Sequence, residues 1–154
     1  MREGFHVRTA GEGDLLALLG LYRQLIPDDP ELSLDAARDI FRRLGTYPGS
    51  AIFLGSVGDV LAATCTLVVI PNLTRGGASY GLIENVVTDA AHRGRGFGRA
   101  MLAEAAGAAW RSGCYKVMLL TGAKDPATLN FYERAGFRQD KTGFQMRRIP
   151  PRKA

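Results

Sequence analysis

Apolar residues recur at helical spacing near the start of the chain. A short strand is predicted over 5–8, followed by a helix over 14–25 that ends before Pro27. The inward face of this helix is expected to hold Leu15, Leu18, Leu19, Tyr22 and Leu25. A second helix is predicted from Ser33, a suitable N-cap, to Leu44, where Gly45 supplies the stop.

The pattern then changes to runs rich in β-branched residues. The stretches 51–57 and 60–70 predict two strands joined by a two-residue turn at Gly58 and Asp59. A polar loop over 72–79 precedes a further strand over 80–88.

The second half alternates strands and helices. A helix is predicted over 96–112, with Phe97, Met101, Ala105 and Ala109 on one face. A buried strand over 116–121 follows, then a helix that begins at Asp125-Pro126 and ends at Gly136, and a last strand over 144–149. This order predicts an α/β fold with a mixed, mostly antiparallel central sheet and helices on both faces. Nothing divides the chain, so we expect a single domain over 1–154.

Composition narrows the class of protein. The chain has 154 residues, 46% of them hydrophobic and 23% charged, which is typical of a globular domain with its own core. The longest apolar stretch is too short to span a bilayer, and the start of the chain has no signal-like apolar region. Cys65 and Cys114 lack metal-ligand spacing, and His6 and His92 are isolated. We expect a cytoplasmic protein without a metal or a membrane partner, with Cys114 buried rather than nucleophilic.

The net charge of +5 suits a polyanionic partner. Nucleic acid is one such partner, but the basic residues form no long run and lack the interleaved aromatics of a single-strand binder. A small polyanionic ligand fits equally, and we expect no nucleic acid.

The segment Arg93-Gly94-Arg95-Gly96-Phe97-Gly98 is the most informative motif. It stands between a predicted strand and a predicted helix, where free amides and the helix dipole favour a phosphate. Glycines allow an anion to approach the backbone closely. Arg99 replaces the third glycine of a dinucleotide fingerprint, and no Gly-Lys-Ser/Thr follows for a P-loop.

The motif has the form Arg-x-x-Gly-x-Gly, which resembles the coenzyme A signature of the GNAT superfamily of N-acetyltransferases. The segment 130–137, Asn-Phe-Tyr-Glu-Arg-Ala-Gly-Phe, is similar to the C-terminal signature of that superfamily. The segments 81–87 and 113–117 resemble glucosamine-6-phosphate N-acetyltransferase-like members. Asn85 stands where those members usually have Asp, and 121–124 replaces a more acidic segment, so the acceptor stays open.

The resemblance implies acetyl-CoA as the acyl donor, bound in a cleft where the strands 84–88 and 116–121 splay apart. Backbone groups of Val86, Val87 and Thr88 would pair with the pantetheine arm. The pyrophosphate would be held by amides of the loop, with charge from three arginines, and Thr128 would also touch the cofactor. The loop residues concerned are Arg93, Gly94, Arg95, Gly96, Phe97, Gly98 and Arg99.

The resemblance also implies direct transfer of the acetyl group to an amine. An alkylammonium has a pKa near ~10.4, so a base must take its proton, and Glu84 is the candidate. Tyr132 would donate to the departing sulfur; full proton transfer from a phenol to a thiolate is uphill by roughly 2 kcal/mol, so a hydrogen bond would serve as well. Asn85, Arg75 and Lys124 are candidates for acceptor binding, and Asn85 would face away from Glu84 unless a β-bulge intervenes.

The acceptor is expected to be a small-molecule amine, with an amino-sugar phosphate as one hypothesis. An amino acid, a polyamine, an aminoglycoside and a protein N-terminus remain alternatives. So does a regulatory module that binds acetyl-CoA without catalysis. The resemblance further implies a homodimer.

Overall fold

The computed structural model describes residues 4–151, which form five strands and four α-helices. Contacts between residues group the chain into two compact units, 1–119 and 120–154. The first contains β1 (Phe5–Thr9), α1 (Leu15–Leu25), α2 (Leu34–Leu44), β2 (Ala51–Val57), β3 (Val60–Ile70), β4 (Tyr80–Thr88), α3 (Phe97–Arg111) and β5 (Val117–Met118). The second contains α4 (Pro126–Arg134).

The sheet has the strand order β1-β2-β3-β4-β5. The first four strands pair antiparallel, and β5 pairs parallel with β4. Adjacent residues of β2 show that helices cover both faces. Leu54 belongs to a cluster with Leu15, Leu18 and Ala37 from α1 and α2, whereas Gly55 faces α3. The predicted mixed sheet is therefore confirmed.

The packing of α3 against the sheet explains one glycine. A Cβ on Gly55 would lie 2.7 Å from Met101 Sδ and would also collide with the Phe5 ring. Phe5 stacks on Phe97 with their ring centroids 4.1 Å apart. The predicted inward face of α3, Phe97, Met101, Ala105 and Ala109, is buried throughout.

Local capping signals were accurate. The Ser33 hydroxyl accepts from Ala36 N at 3.2 Å, and Asp125 Oδ2 accepts from Thr128 N at 2.9 Å, so α2 and α4 begin where their caps predict. The prediction of the inward face of α1 is wrong at one residue. Leu25 is 38% exposed and Leu21 is buried instead, because Leu25 is the last residue of the helix and no further turn packs around it.

Two predicted strands are corrected. The stretch 116–121 forms a strand only at Val117–Met118, and Met118 is partly exposed. No strand forms over 144–149 in the described part of the second unit, where Phe144, Met146 and Ile149 are largely exposed. Alternating apolar residues give β-propensity, but a strand forms only by pairing with another strand, and the stretch 144–149 belongs to no sheet. Within residues 4–151 no helix has the length and apolar character needed to cross a membrane.

Candidate functional site

The parallel pairing of β4 and β5 is short. It covers Gly81 with Val117 and Leu82 with Met118, and Gly81 N donates to the Lys116 carbonyl at 2.9 Å. β5 ends there, whereas β4 continues to Thr88. Over the described residues, β4 therefore has a strand neighbour on only one side from Ile83 onward. An edge of this kind can pair with an extended ligand.

A β-bulge interrupts β4 beside this free edge. Thr66 pairs with Glu84 and Thr64 pairs with Val87, so Asn85 and Val86 together oppose Cys65. Asn85 adopts a left-handed conformation with φ of 52°, which asparagine tolerates better than most residues. The regular alternation of side chains stops here, and both Glu84 and Asn85 are exposed.

Cross-strand register places Glu84 on one face of the sheet. Ile52, Thr66 and Glu84 form one row across β2, β3 and β4, and paired residues share a face. Ile52 packs with the α1 and α2 cluster, so Glu84 lies on the side covered by those helices. We call this side, with Thr64, Thr66 and Glu84, the α1 face.

The α1 face beside Glu84 is polar. The Thr64 hydroxyl donates to the Phe53 carbonyl at 2.7 Å. The Thr66 hydroxyl is buried and completes no hydrogen bond of good geometry among the described residues. Tyr22 of α1 reaches both threonines: burial raises the pKa of its phenol, and this outweighs the opposing effect of the Thr66 and Thr64 hydroxyls. Sequence reasoning missed this group, because only tertiary pairing brings α1 and β3 together.

The segment 93–99, which we call the donor loop, follows β4 through a short capped turn. Asp89 caps the 3-10 turn Ala90–His92 by accepting from Ala91 N at 3.0 Å. Gly94 and Gly96 have φ of 75° and 74°, a region that costs other residues strain. A Cβ on Gly94 would meet nothing within 4 Å, so the backbone conformation rather than packing requires glycine there.

Helix α3 begins directly at the donor loop without a side-chain cap at Gly96. The first amides of a helix have no partner within the helix, and α3 is 15 residues long. Arg93, Arg95 and Arg99 are all exposed, and Arg93 Nε also donates to the Thr88 carbonyl at 3.2 Å, which ties this arginine to the end of β4. The loop therefore presents backbone donors and positive charge together, which suits a phosphate.

Tyr132 and Thr128 lie on α4 in the second unit. They are one helical turn apart and share a face, as predicted. The Tyr132 ring meets the rings of Phe131 and Phe137 edge-on, with centroids 5.0 and 6.4 Å away. Burial raises the pKa of the Tyr132 phenol. The hydroxyl therefore keeps its proton at neutral pH and can donate a hydrogen bond.

Two cations gather around tyrosines at the start of β4. The Arg75 guanidinium lies 5.3 Å from the centre of the Tyr115 ring, and Lys116 Nζ lies 5.5 Å from the same ring and 5.3 Å from that of Tyr80. Neither cation has a carboxylate partner among the described residues. The parallel pairing of β4 and β5 puts Lys116 beside Tyr80, which shares the α1 face with Glu84. Of these two cations, the sequence predicted only Arg75 as a contact of the acceptor.

The predicted site residues thus fall into two sets. Arg75, Glu84, Asn85, the free edge 86–88 and the donor loop belong to the first unit, and Lys124, Thr128 and Tyr132 belong to the second. A separate cavity of about 350 Å³ between β1, β2 and α3 contains none of them. The arginines that line this cavity are already paired, Arg8 with Asp14 at 2.7 Å and Arg111 with Glu104 at 2.9 Å.

Neither cysteine is suited to nucleophilic chemistry. Both are buried, and burial raises the pKa of Cys65 to about 12 and also raises that of Cys114. The burial predicted for Cys114 is confirmed. Within residues 4–151 no group of three His, Cys, Asp or Glu side chains is arranged to hold a metal ion.

Known proteins agree with this architecture. Residues 18–137 match the profile of the Acetyltransferase (GNAT) family. The chain is 34% identical over 134 residues to a glucosamine 6-phosphate N-acetyltransferase of Trypanosoma brucei brucei, covering 86% of this chain and 88% of the relative. It is 33% identical over 140 residues to glucosamine 6-phosphate N-acetyltransferase 1 of Oryza sativa subsp. japonica, covering 88% and 82%.

A solved structure extends the agreement to three dimensions. A putative acetyltransferase from Agrobacterium tumefaciens is 50% identical and superposes with a TM-score of 0.87 over 93% of this chain and 99% of that one. The chain therefore belongs to the GNAT family of acetyltransferases. It is an N-acetyltransferase whose curated relatives act, by their names, on glucosamine 6-phosphate.

Proposed function

We propose that the protein transfers the acetyl group of acetyl-CoA directly to the primary amine of a small molecule, and that the acceptor is an amino-sugar phosphate. The junction of β4 and α3 carries the donor assignment. There a strand with a free edge leads through two left-handed glycines into a helix without a side-chain cap. This arrangement matches the two parts of the donor, an extended amide-containing arm and a pyrophosphate.

The pantetheine arm is assigned to the free edge of β4. Its amides would exchange hydrogen bonds with backbone groups of Val86, Val87 and Thr88, as a neighbouring strand would. The pyrophosphate is assigned to the amides of Gly94 to Arg99, with Arg93, Arg95 and Arg99 supplying charge. Open space around Gly94 supports this, because a phosphate must approach the backbone closely. Thr128 remains a further proposed contact of the cofactor.

Glu84 is proposed as the group that takes the proton of the acceptor amine. Its exposure on the α1 face, beside the bulge, supports access to a ligand at the free edge of β4. The acceptor ammonium first loses one proton to the carboxylate, directly or through water. The neutral amine nitrogen then forms a bond to the acetyl carbon while the carbon–sulfur bond breaks, and the second proton lost by nitrogen balances the protonation of the departing thiolate. Tyr132, which keeps its proton at neutral pH, would donate to the leaving sulfur.

The acceptor assignment is supported by relatives and by charge. The curated relatives are glucosamine 6-phosphate N-acetyltransferases at 33–34% identity over most of the chain. Arg75 and Lys116 supply two cations without carboxylate partners among the described residues. Cations of this kind are available to bind the phosphate of an acceptor. Lys124 is a third proposed contact. Asn85 lacks the carboxylate usual at its position, so it would hold a hydroxyl or the amine through a neutral amide.

A homodimer is also proposed. Phe144, Met146 and Ile149 are 93, 100 and 78% exposed, and side chains of this kind favour a protein partner. Sedimentation or light scattering would test this: a dimer is expected, and a monomer at enzyme concentrations well above those of the assay would contradict it.

The decisive experiment measures release of free thiol from acetyl-CoA over a panel of amines. The panel contains glucosamine 6-phosphate, glucosamine, amino acids, polyamines, aminoglycosides and peptide N-termini. Thiol release with glucosamine 6-phosphate is expected to exceed that with every other amine. Activity on another class alone would contradict the acceptor assignment. Binding of acetyl-CoA without thiol release from any amine would indicate a regulatory module.

A further inference from the structure

A hydrogen-bonded link joins the end of α1 to the turn before the donor loop. Gln24 Nε2 donates to Asp89 Oδ2 at 2.6 Å, and Gln24 Oε1 accepts from Ala90 N at 2.9 Å. The two contacts fix the orientation of the carboxamide, because the reversed amide would oppose oxygen to carboxylate and NH₂ to N–H. Gln24 is therefore held at two points to a segment 65 residues further along the chain.

Asp89 is the centre of this link. Its Oδ1 accepts from Ala91 N at 3.0 Å and lies 2.8 Å from His92 Nδ1, and its own amide donates to the Ala62 carbonyl at 2.8 Å. The hydrogen bond from Gln24, followed by that from His92, lowers the pKa of Asp89, so the carboxylate stays charged. Hydrogen bonds to a charged acceptor are stronger than those to a neutral one.

The link connects the two sides of the proposed site. The turn Ala90–His92 leads directly into Arg93 and the donor loop. Helix α1, which carries Gln24, also carries Tyr22 over the threonines of the α1 face. Gln24 is therefore a direct side-chain connection between the last turn of α1 and the turn that leads into the donor loop.

We propose that Gln24 is a positioning residue for donor binding: through Asp89 and Ala90 it holds the turn 89–92, so that the donor-loop amides are already arranged when acetyl-CoA arrives. This role rests on the proposed assignment of the pyrophosphate to the donor loop. A loop ordered in advance loses less conformational entropy on binding, and the benefit appears in affinity rather than in the chemical step.

The test compares Gln24→Ala and Gln24→Glu with the wild type. Gln24→Ala removes both hydrogen bonds and should raise the Kd for acetyl-CoA by about three- to tenfold. Gln24→Glu keeps an acceptor for Ala90 N but opposes a second carboxylate to Asp89, so a larger rise is expected. The kcat at saturating acetyl-CoA should stay within about twofold of wild type, because Gln24 contacts no reacting group. Arg23→Ala is the matched control, since Arg23 pairs with Glu31 instead.

Amide hydrogen exchange supplies a readout independent of activity. Exchange over 90–98 should be faster in Gln24→Ala and unchanged in Arg23→Ala. Wild-type Kd and wild-type exchange in Gln24→Ala would overturn the role of Gln24, and so would a fall in kcat without a rise in Kd. The variant Gly94→Glu separates the positioning role of Gln24 from the assignment of the pyrophosphate to the donor loop. Unchanged affinity there would remove the pyrophosphate from the donor loop itself, whereas lost affinity there with wild-type behaviour of Gln24→Ala would overturn only the positioning role.

Discussion

The donor loop is one continuous stretch of chain, whereas the residues proposed to face the acceptor come from separate segments. Backbone conformation dominates the first: two left-handed glycines and the start of a helix follow one another over 94–97. Side chains dominate the second, with Glu84 on β4, Arg75 in the preceding loop and Lys116 at the start of the parallel pair. A backbone site tolerates changes in side chains that would alter an acceptor pocket. A donor site built from backbone groups can therefore stay unchanged while substitutions of side chains alter the choice of acceptor.

The largest effect is expected at Glu84. Glu84→Gln keeps the shape of the side chain but removes the proposed base, and general base catalysis contributes roughly 100- to 10,000-fold. We expect kcat/KM for the amine to fall by that factor in steady-state assays, with the Kd for acetyl-CoA unchanged. Glu133→Gln, an exposed change on α4, should leave both values at wild type. Wild-type turnover of Glu84→Gln would show that Glu84 does not act as the base.

Tyr132→Phe comes next. It removes the proposed donor to the leaving sulfur but keeps the ring contacts with Phe131 and Phe137. The expected fall in kcat is roughly 10- to 1,000-fold, because a thiolate can also leave unaided. Calorimetry should show little change in acetyl-CoA affinity. A variant with wild-type kcat would mean that Tyr132 serves only in packing.

The assignment of the pyrophosphate to the donor loop is tested by adding a negatively charged side chain there. Gly94→Glu puts a carboxylate where the pyrophosphate is assigned, and the Kd for acetyl-CoA should rise by about a hundredfold, equivalent to roughly 2.7 kcal/mol. Gly58→Glu is matched: Gly58 also has a positive φ and open space at its Cβ, but it lies in the hairpin turn between β2 and β3. Equal affinity of the two variants would show that the loop does not bind the phosphates.

Local signals predicted the secondary structure around the donor loop well, and the reason is physical. Strand, glycine turn and helix cap are determined by neighbours in sequence, so the bounds of β4 and the start of α3 agree with prediction to within one residue. The link from Gln24 to Asp89 and the grouping of Lys116 with Tyr80 depend on tertiary pairing, and no local pattern contains them. The prediction of a strand over 144–149 was wrong for the opposite reason. Its alternation is a local signal, whereas a strand forms only by pairing, and this stretch belongs to no sheet.

The acceptor side is tested first by the substrate. A charge-assisted contact to phosphate is worth about 1.5–3 kcal/mol, so kcat/KM for glucosamine 6-phosphate should exceed that for glucosamine by roughly ten- to a hundredfold. Glucosamine assayed with added inorganic phosphate is the control, because phosphate not joined to the sugar should not restore the rate. Equal rates on both sugars would contradict a phosphate contact and leave the reaction class intact.

The smallest effect is expected for one cation among several. Lys116→Met removes the charge but keeps an apolar stem over the Tyr80 and Tyr115 rings. Because Arg75 lies over the same Tyr115 ring and retains its charge, the preference for glucosamine 6-phosphate should fall only about three- to tenfold.

Further variants separate the contribution of Lys116 from a general effect of charge. Arg43→Ala removes an exposed cation from α2 and should leave the preference unchanged. The double variant Arg75→Met/Lys116→Met should lose most of the preference, while kcat/KM for unphosphorylated glucosamine stays near wild type. If the double variant keeps the full preference, the phosphate is held by other groups, and Lys124→Met becomes the next variant to measure. If the rate on glucosamine falls equally, the two cations support the fold of this edge of the sheet rather than the recognition of phosphate.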